Sequence, residues 1–299
     1  MQKYIFSIRS PAKLNLFLEI LDRRPDGYHN LKTLFAKTSL CDEIHFSPFR
    51  RLQISWTPKN IRLPKGRDNL IVRAAMELQK TFCIREGAGI HLVKNIPVGA
   101  GLGGGSSNAA ATLRGLCRLW KIPRRPATRE KLTQIARRLG ADVSFFLQDH
   151  PFCIGEGTGD ILRPLPDSGK YWAVLLYPGV SVSTPWAYQR LSRLRRPPLT
   201  PLNLTRADNL DRLAVCLRRR KPPEEWVGLL FNRFEEIVLS RFPQVRKAVS
   251  ALRTRPTLGV MMSGSGSSVF GIVPDPICGR EILNQLQDAY PSCYLIRIG

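Results

Sequence analysis

Acidic residues are scarce in this chain. Asp and Glu number 23 against 46 Lys and Arg, so the formal net charge at pH 7 is +23. A surface this positive attracts polyanions, and phosphorylated small molecules, anionic lipids and nucleic acids are all open as partners. Long apolar runs are missing: the longest, Tyr171 to Tyr177, has seven residues, against the roughly 20 that a membrane-spanning helix needs. Histidine is rare, with four residues at 29, 45, 91 and 150, too dispersed for a sequence-local metal box. The seven cysteines are odd in number and none forms a Cys-x-x-Cys pair, which favours reduced thiols in a cytosol over disulfides or zinc. The stretch Met1 to Arg9 reads as a strand, with no apolar h-region and no small-residue cleavage site, so no signal peptide and no membrane association are expected.

What is present is ordinary globular composition. The 299 residues are 43% hydrophobic and 23% charged, enough for one large domain or two smaller ones. Strands are predicted at 4–10, 15–21, 34–38, 43–46, 52–56 and 89–94, with Gly27, Pro58 and Pro64 between them. Asp68 or Asn69 caps a predicted helix reaching Phe82, with Leu70, Ala74, Ala75 and Leu78 as its apolar stripe. Further helices are predicted at 107–119 and 129–139, the latter ended by Gly140, and a hairpin at 152–165. The second half alternates: strands at 171–177, 258–262, 269–273 and 293–298, and helices at 207–219, 224–240, 243–253 and 276–289. This is an α+β pattern of two lobes, with the division placed between 1–167 and 168–299.

Five of the seven positions 99–105 are Gly. So many glycines carry a large entropic cost with no packing gain, which disfavours a purely structural turn. They let backbone N–H groups approach a ligand, and the helix that follows adds its own unpaired donors and partial positive charge. Gly99-x-Gly101-x-x-Gly104 matches the dinucleotide fingerprint, but no acidic residue stands at the required offset, where Arg124-Arg125 is basic. A Walker loop fails because no Lys follows the glycines. A non-Walker triphosphate loop is what remains. Ser10-x-x-Lys13 spells a penicillin-binding motif, but Pro11 sits inside it and no Lys-Thr-Gly partner exists.

Pro97-x-x-x-Gly101-Leu102-Gly103-Gly104-Gly105-Ser106-Ser107-Asn108 resembles the ATP loop of the GHMP kinases. Pro11-Ala12-Lys13-Leu14-Asn15-Leu16, Gly27-Tyr28-His29, Gly140-Ala141-Asp142-Val143-Ser144-Phe145-Phe146 and Ser263-Gly264-Ser265-Gly266-Ser267-Ser268 are similar to the branch that phosphorylates CDP-methylerythritol in the non-mevalonate isoprenoid route. The resemblance implies a two-lobed fold, with a ribosomal-protein-like β-α N-terminal lobe and a ferredoxin-like C-terminal lobe. It implies ATP with Mg2+ as phosphate donor, a small-molecule acceptor, and a monomer or weak homodimer. Asp142 is then the catalytic base and Lys13 its partner. Pro97, Val98, Gly99, Ala100 and the residues from Gly101 to Asn108 hold the nucleotide, with Lys94, Asn69 and Leu70 on its adenine side. Asn15 holds the polyol diphosphate, Tyr28 and His29 recognise cytosine, and Tyr188 stacks on it with Trp186 as a nearby competitor. Gly264, Ser265 and Gly266 close on the substrate. Metal ligands are not readable beyond Ser107 as one candidate contact.

The charge fits this picture least. Between 190 and 221 stand ten basic and two acidic residues, and Arg124-Arg125 adds to them. A solvated basic surface is the favoured reading. A nucleic-acid-binding protein is the rival, although the basic runs carry no interleaved aromatics and no known reader motif. A second rival is a GHMP kinase for homoserine, mevalonate or a sugar, against which Gly27-Tyr28-His29 and Tyr188 argue, because they suit a cytidine ligand.

Overall fold

A computed structural model describes residues 4–166, 168–194 and 201–299. Arg195 and Arg196 of the basic stretch, and position 167 at the expected division, lie outside them. Contacts gather the chain into two compact units, neither continuous in sequence. Of the described residues, the first holds those from 4 to 12, Leu40–Val98 and Gly103–Asp149; the second holds Lys13–Ser39, Gly99–Leu102 and those from His150 onward. Two long strands, β1 (Phe6–Arg23) and β2 (His29–Phe49), contribute residues to both. Each was expected as two short strands. Pro11 does not interrupt β1, and β2 runs on through Ser39-Leu40-Cys41.

In the first unit β3 (Gln53–Thr57) runs parallel to β4 (Gly87–Val93), and β4 pairs antiparallel with β2 from Glu43↔Val93 to Phe49↔Gly87. Helices α1 (Leu70–Phe82), α2 (Gly104–Leu119), α3 (Pro126–Leu139) and α4 (Ala141–Phe146) pack against one another. The Asn69 side chain caps α1 by accepting from Ile71 N at 2.9 Å, as expected of an N-cap. Its buried stripe is Ile71, Ala74, Ala75 and Leu78, with Leu70 half-buried at the rim. Both later helices begin three residues before their expected starts. Pro126 fits the first turn of α3, where its missing N–H is unused, and α2 begins at Gly104, directly after a left-handed Gly103. The short α4 has no counterpart in the sequence reading.

In the second unit β7 (Tyr171–Leu176), β9 (Gly259–Met262), β10 (Val269–Val273) and β11 (Cys293–Ile298) form an antiparallel sheet ordered β11-β7-β10-β9. The hairpin β5 (Phe152–Glu156) and β6 (Ile161–Pro164) pairs with β2 at residues 33–36. The helices are α5 (Thr184–Ser192), α6 (Pro201–Arg218), α7 (Glu235–Arg241), α8 (Pro243–Arg253) and α9 (Pro276–Leu286). The core joins Val174, Leu176, Val269 and Val273 of the sheet to Ile237, Val245, Leu252 and Ile282 of the helices. The single helix expected at 224–240 is not formed. Two 3-10 turns at Pro223–Glu225 and Val227–Leu229, a strand β8 (Phe231–Asn232) beside Phe17 and Leu18 of β1, and α7 stand there instead. Gly228 disfavours helical propagation, and Trp226 is buried edge-on to Tyr171, 4.9 Å between centroids. Among the described residues no helix is long and apolar enough to cross a membrane.

Packing in the first unit is tight where α2 meets the sheet. A Cβ on Gly115 would lie 2.2 to 2.7 Å from three ring atoms of the buried Phe46. Replacing a helical Gly by Ala normally gains about 1 kcal/mol. Here Gly115→Ala is expected to destabilise the fold by about 1–3 kcal/mol, because overpacking against a rigid ring outweighs propensity. A lower urea midpoint at unchanged m-value checks this; a raised midpoint contradicts it.

Candidate functional site

The start of α2 carries the first unit's share of the Gly-rich segment. The first turn has no acidic residue and no side-chain cap, so its N–H groups stay available to an anion. Below it lies a buried polar network built on Asp42, which is 0% exposed. Asp42 Oδ1 accepts from the backbone N–H of Asn95 and of Ile96, both at 2.8 Å. Its Oδ2 accepts from Lys94 Nζ at 2.7 Å and Asn108 Nδ2 at 2.9 Å. Lys94 Nζ also donates to Ile96 O at 2.5 Å. Asn108 Nδ2 donates to Ser10 Oγ at 2.9 Å, and Ser10 Oγ donates to Ser107 Oγ at 2.8 Å. Burial pushes the Lys94 ammonium below the usual lysine range, and the Asp42 carboxylate opposes that shift.

This network decides what the expected nucleotide residues are free to do. Lys94, Ser107 and Asn108 are buried and hydrogen-bonded within the protein, whereas Ser106 is half-buried and Gly105 exposed. Lys94 Nζ stands beside the loop: a Cβ on Gly104 would lie 3.1 Å from it. Leu70 borders the same turn, since a Cβ on Gly105 would lie 3.6 Å from its Cδ1. Asn69 is committed to capping α1 and donates from Nδ2 to Pro64 O at 3.0 Å. Asp142 is half-buried in the first turn of α4, where a carboxylate complements the helix dipole. Asp42 escaped the sequence reading, but a signal exists. Asp42, Ile44 and Phe46 share the inward face of an alternating strand, so a carboxylate was heading into the core.

In the second unit four chain segments converge. Lys13 N donates to Leu102 O at 3.0 Å, Ser268 N to Ala100 O at 3.1 Å and Ser181 Oγ to Gly99 O at 3.1 Å. Gly101 has φ +77°, and a Cβ there would lie 2.4 Å from Ser263 O and 2.7 Å from Gly266 O. Only glycine permits that approach of backbone to backbone. Lys13 is 5% exposed, so it is not a solvated strand lysine. Its Nζ donates to Asn15 Oδ1, Asn15 Nδ2 donates to Thr33 Oγ1 at 2.7 Å, and Thr33 Oγ1 donates to Phe17 O at 2.7 Å. A Cβ on Gly264 would lie 3.1 Å from Lys13 Nζ and 3.3 Å from Asn15 Oδ1, so the Ser263–Ser268 turn rests directly on this pair. Asn232 holds that turn from below, donating to Met262 O at 2.7 Å and Gly264 O at 2.8 Å. Asn232 was hidden in the stretch expected to be helix. Ser265 Oγ bonds Thr184 Oγ1 at 2.8 Å.

The expected base-recognition residues separate by environment. Tyr28 is 66% exposed, while His29 is buried and stacked on Tyr188, 5.3 Å between centroids at 27°. Tyr188 is in turn supported edge-on by Phe234 at 4.9 Å. Trp186, its sequence competitor, is packed at 90° against Phe242.

Residues 69–156 match the GHMP kinases N terminal domain, and residues 213–292 match the GHMP kinases C terminal domain. The chain is 39% identical over 283 residues to 4-diphosphocytidyl-2-C-methyl-D-erythritol kinase of Salinibacter ruber, covering 93% of each chain. It is 35% identical over 292 residues to the protein of that name from a Geobacillus species, covering 97% of this chain and 96% of the relative. A crystal structure of 4-(cytidine 5'-diphospho)-2C-methyl-D-erythritol kinase superposes with TM-score 0.78 and 33% identity, over 98% of this chain and 99% of that one.

The network around Asp42 makes a stability prediction. Asp42→Ala leaves a buried ammonium unpaired and is expected to destabilise by about 3–5 kcal/mol. Adding Lys94→Met removes the stranded charge and recovers much of the loss. Urea denaturation of the single and double variants checks this; a double variant no more stable than Asp42→Ala contradicts it.

Proposed function

The chain belongs to the 4-diphosphocytidyl-2-C-methyl-D-erythritol kinases of the GHMP kinase family, and on that premise we propose that it transfers the γ-phosphoryl group of ATP to the 2-hydroxyl of 4-diphosphocytidyl-2-C-methyl-D-erythritol, releasing ADP. The observation that carries this reading is the convergence of the Lys13–Asn15 pair with the two glycine turns at Gly101 and Gly264. A buried ammonium fixed by an amide, next to N–H-rich backbone, suits a phosphorylated ligand and has no use in a merely packed strand.

Phosphoryl transfer rests on positioning and on neutralising charge. The N–H groups at the start of α2 and along Gly99–Gly105 bind the triphosphate, with the half-buried Ser106 as the available hydroxyl. Leu70 lies beside the loop and borders the adenine side. Lys94, Asn108 and Ser107 support the loop through the network below, in which Lys94 Nζ and Asn108 Nδ2 donate to Asp42 and Ser107 Oγ accepts from Ser10. Asp142 accepts the proton of the attacking hydroxyl. Lys13, oriented by Asn15, stabilises the negative charge that develops. His29, Tyr28 and Tyr188 take the cytosine, and Gly264, Ser265 and Gly266 take the diphosphate side. Among the described residues no group of three or more His, Cys, Asp or Glu is placed to hold a metal. Mg2+, when bound with the nucleotide, would neutralise charge on its phosphates.

We read the division at 1–167 and 168–299 as the border of the two family domains, the protein as cytoplasmic and a monomer or weak homodimer, and its basic surface as solvated without a specific nucleic-acid partner. A homoserine or mevalonate acceptor would leave the His29–Tyr188 stack without a task. The test is an ADP-release assay with MgATP. CDP-methylerythritol is expected to be turned over, and homoserine and mevalonate are not; turnover of either of those alone overturns the acceptor. Asp142→Asn and Lys13→Ala are expected to keep the far-ultraviolet spectrum, and loss of the base should lower kcat by about 10²–10⁴-fold. Near-normal kcat in Asp142→Asn removes that carboxylate from the mechanism.

A further inference from the structure

The second unit contains a cavity of about 370 Å³ that the chemistry above does not use. Small-molecule sites commonly measure roughly 300–1,000 Å³. The segment before β8 and the strand β9 supply apolar walls, among them Val227, Leu230 and Val260, while α7 and α8 supply charge. Glu235 of α7 is anchored by Oε1, which accepts from the backbone N–H of Met262 at 2.7 Å. Its Oε2 takes no hydrogen bond from the described residues. Burial pushes this carboxyl up, and the Met262 N–H and the positive charge of Arg253 oppose that shift. Arg253, at the end of α8, is exposed and makes no hydrogen bond or ion pair among the described residues. Its guanidinium acts on Glu235 through space without closing the gap between them. The other two charged residues at the cavity are committed. Arg233 donates to both oxygens of Glu19 at 2.7 and 2.9 Å, and Glu236 lies 3.4 Å from Arg233. One carboxylate oxygen and one guanidinium, opposite in sign and unjoined, are thus left on a cavity with apolar walls.

We propose that this cavity binds a free α-amino acid with an apolar side chain. Its ammonium donates to Glu235 Oε2, its carboxylate accepts from Arg253, and its side chain lies against Val227, Leu230 and Val260. Bonds between ionised partners of this kind are the strong ones. Other ligands match the cavity less well. A phosphate or a fatty acid brings a second negative charge to Glu235. An amine without a carboxylate brings a second positive charge to Arg253. An uncharged apolar molecule displaces water from both groups and gives neither a partner, which is costly. The two ends of a peptide stand too far apart to serve both groups, whereas a free amino acid carries both charges on adjacent carbons. Glu235 is already fixed by Met262, so little freedom is lost there on binding.

Titration calorimetry on the full chain with leucine, valine and phenylalanine tests the assignment. At least one of them is expected to bind saturably, with a Kd of about 1 mM or below. The amide and the deaminated acid of that amino acid each lack one of the two charges, and both are expected to bind at least about tenfold more weakly. Arg253→Ala is expected to keep the far-ultraviolet spectrum and to weaken the amino acid at least about tenfold. Glu235→Gln, which retains an acceptor for Met262 N–H but loses the charge, is expected to weaken it likewise. Saturable binding by none of the three amino acids overturns the proposal. So does an amide or a deaminated acid that binds as tightly as its parent, or an Arg253→Ala protein that binds the amino acid like wild type.

Discussion

The second unit's share of the site depends on backbone lying against backbone at Gly101. The oxygens of Ser263 and Gly266 occupy the space where any other residue would place its Cβ. Because they do, the turn around Gly264 comes down onto Lys13 and Asn15, and the strand that carries those residues donates from Lys13 N to Leu102 O. Steric exclusion here does what a side-chain contact does elsewhere. It fixes two loops relative to one ammonium group with no flexible atom in between. Asn232 completes the arrangement from below by occupying two carbonyls of the upper turn and its flanking strand.

The first unit reaches a similar rigidity by charge. One carboxylate, Asp42, receives two backbone N–H groups from the stem that leads to the loop and one amide from the helix that leaves it. Desolvating an ion pair is costly, and removing one partner of such a pair costs more than the pair contributes. Lys94 gives up its solvent to share in that geometry, and its lowered basicity is the mark of the exchange.

Much of this was legible beforehand. The glycine spacing suggested an anion-binding loop, and it was the resemblance of the flanking motifs to the GHMP kinases that singled out Lys13, Asn15 and His29, which the structure holds buried. The Asn69 cap and the stripe of α1 followed from local chemistry alone. Three things were not legible, each for a physical reason. Strand length was underestimated: β1 continues through Pro11 and pairs with β2 and β8, partners that local propensity does not reveal. The segment after Pro222 was assigned to helix by composition, whereas burial of Trp226 and pairing of Phe231 with Phe17 decide its shape. The supporting residues Asp42 and Asn232 act through partners distant in sequence, so their roles appear only when the chain is folded.

The saturation of Asp42 reaches beyond stability. A loop stem held at Asn95 N and Ile96 N by a buried carboxylate has less disorder to lose on binding. Association with an anion then need not be spent on freezing the stem, and affinity reflects the contacts themselves. Such a stem also resists rearrangement. Any adjustment during turnover must therefore come from the glycines beyond it, and the chain has concentrated its conformational freedom in those few residues.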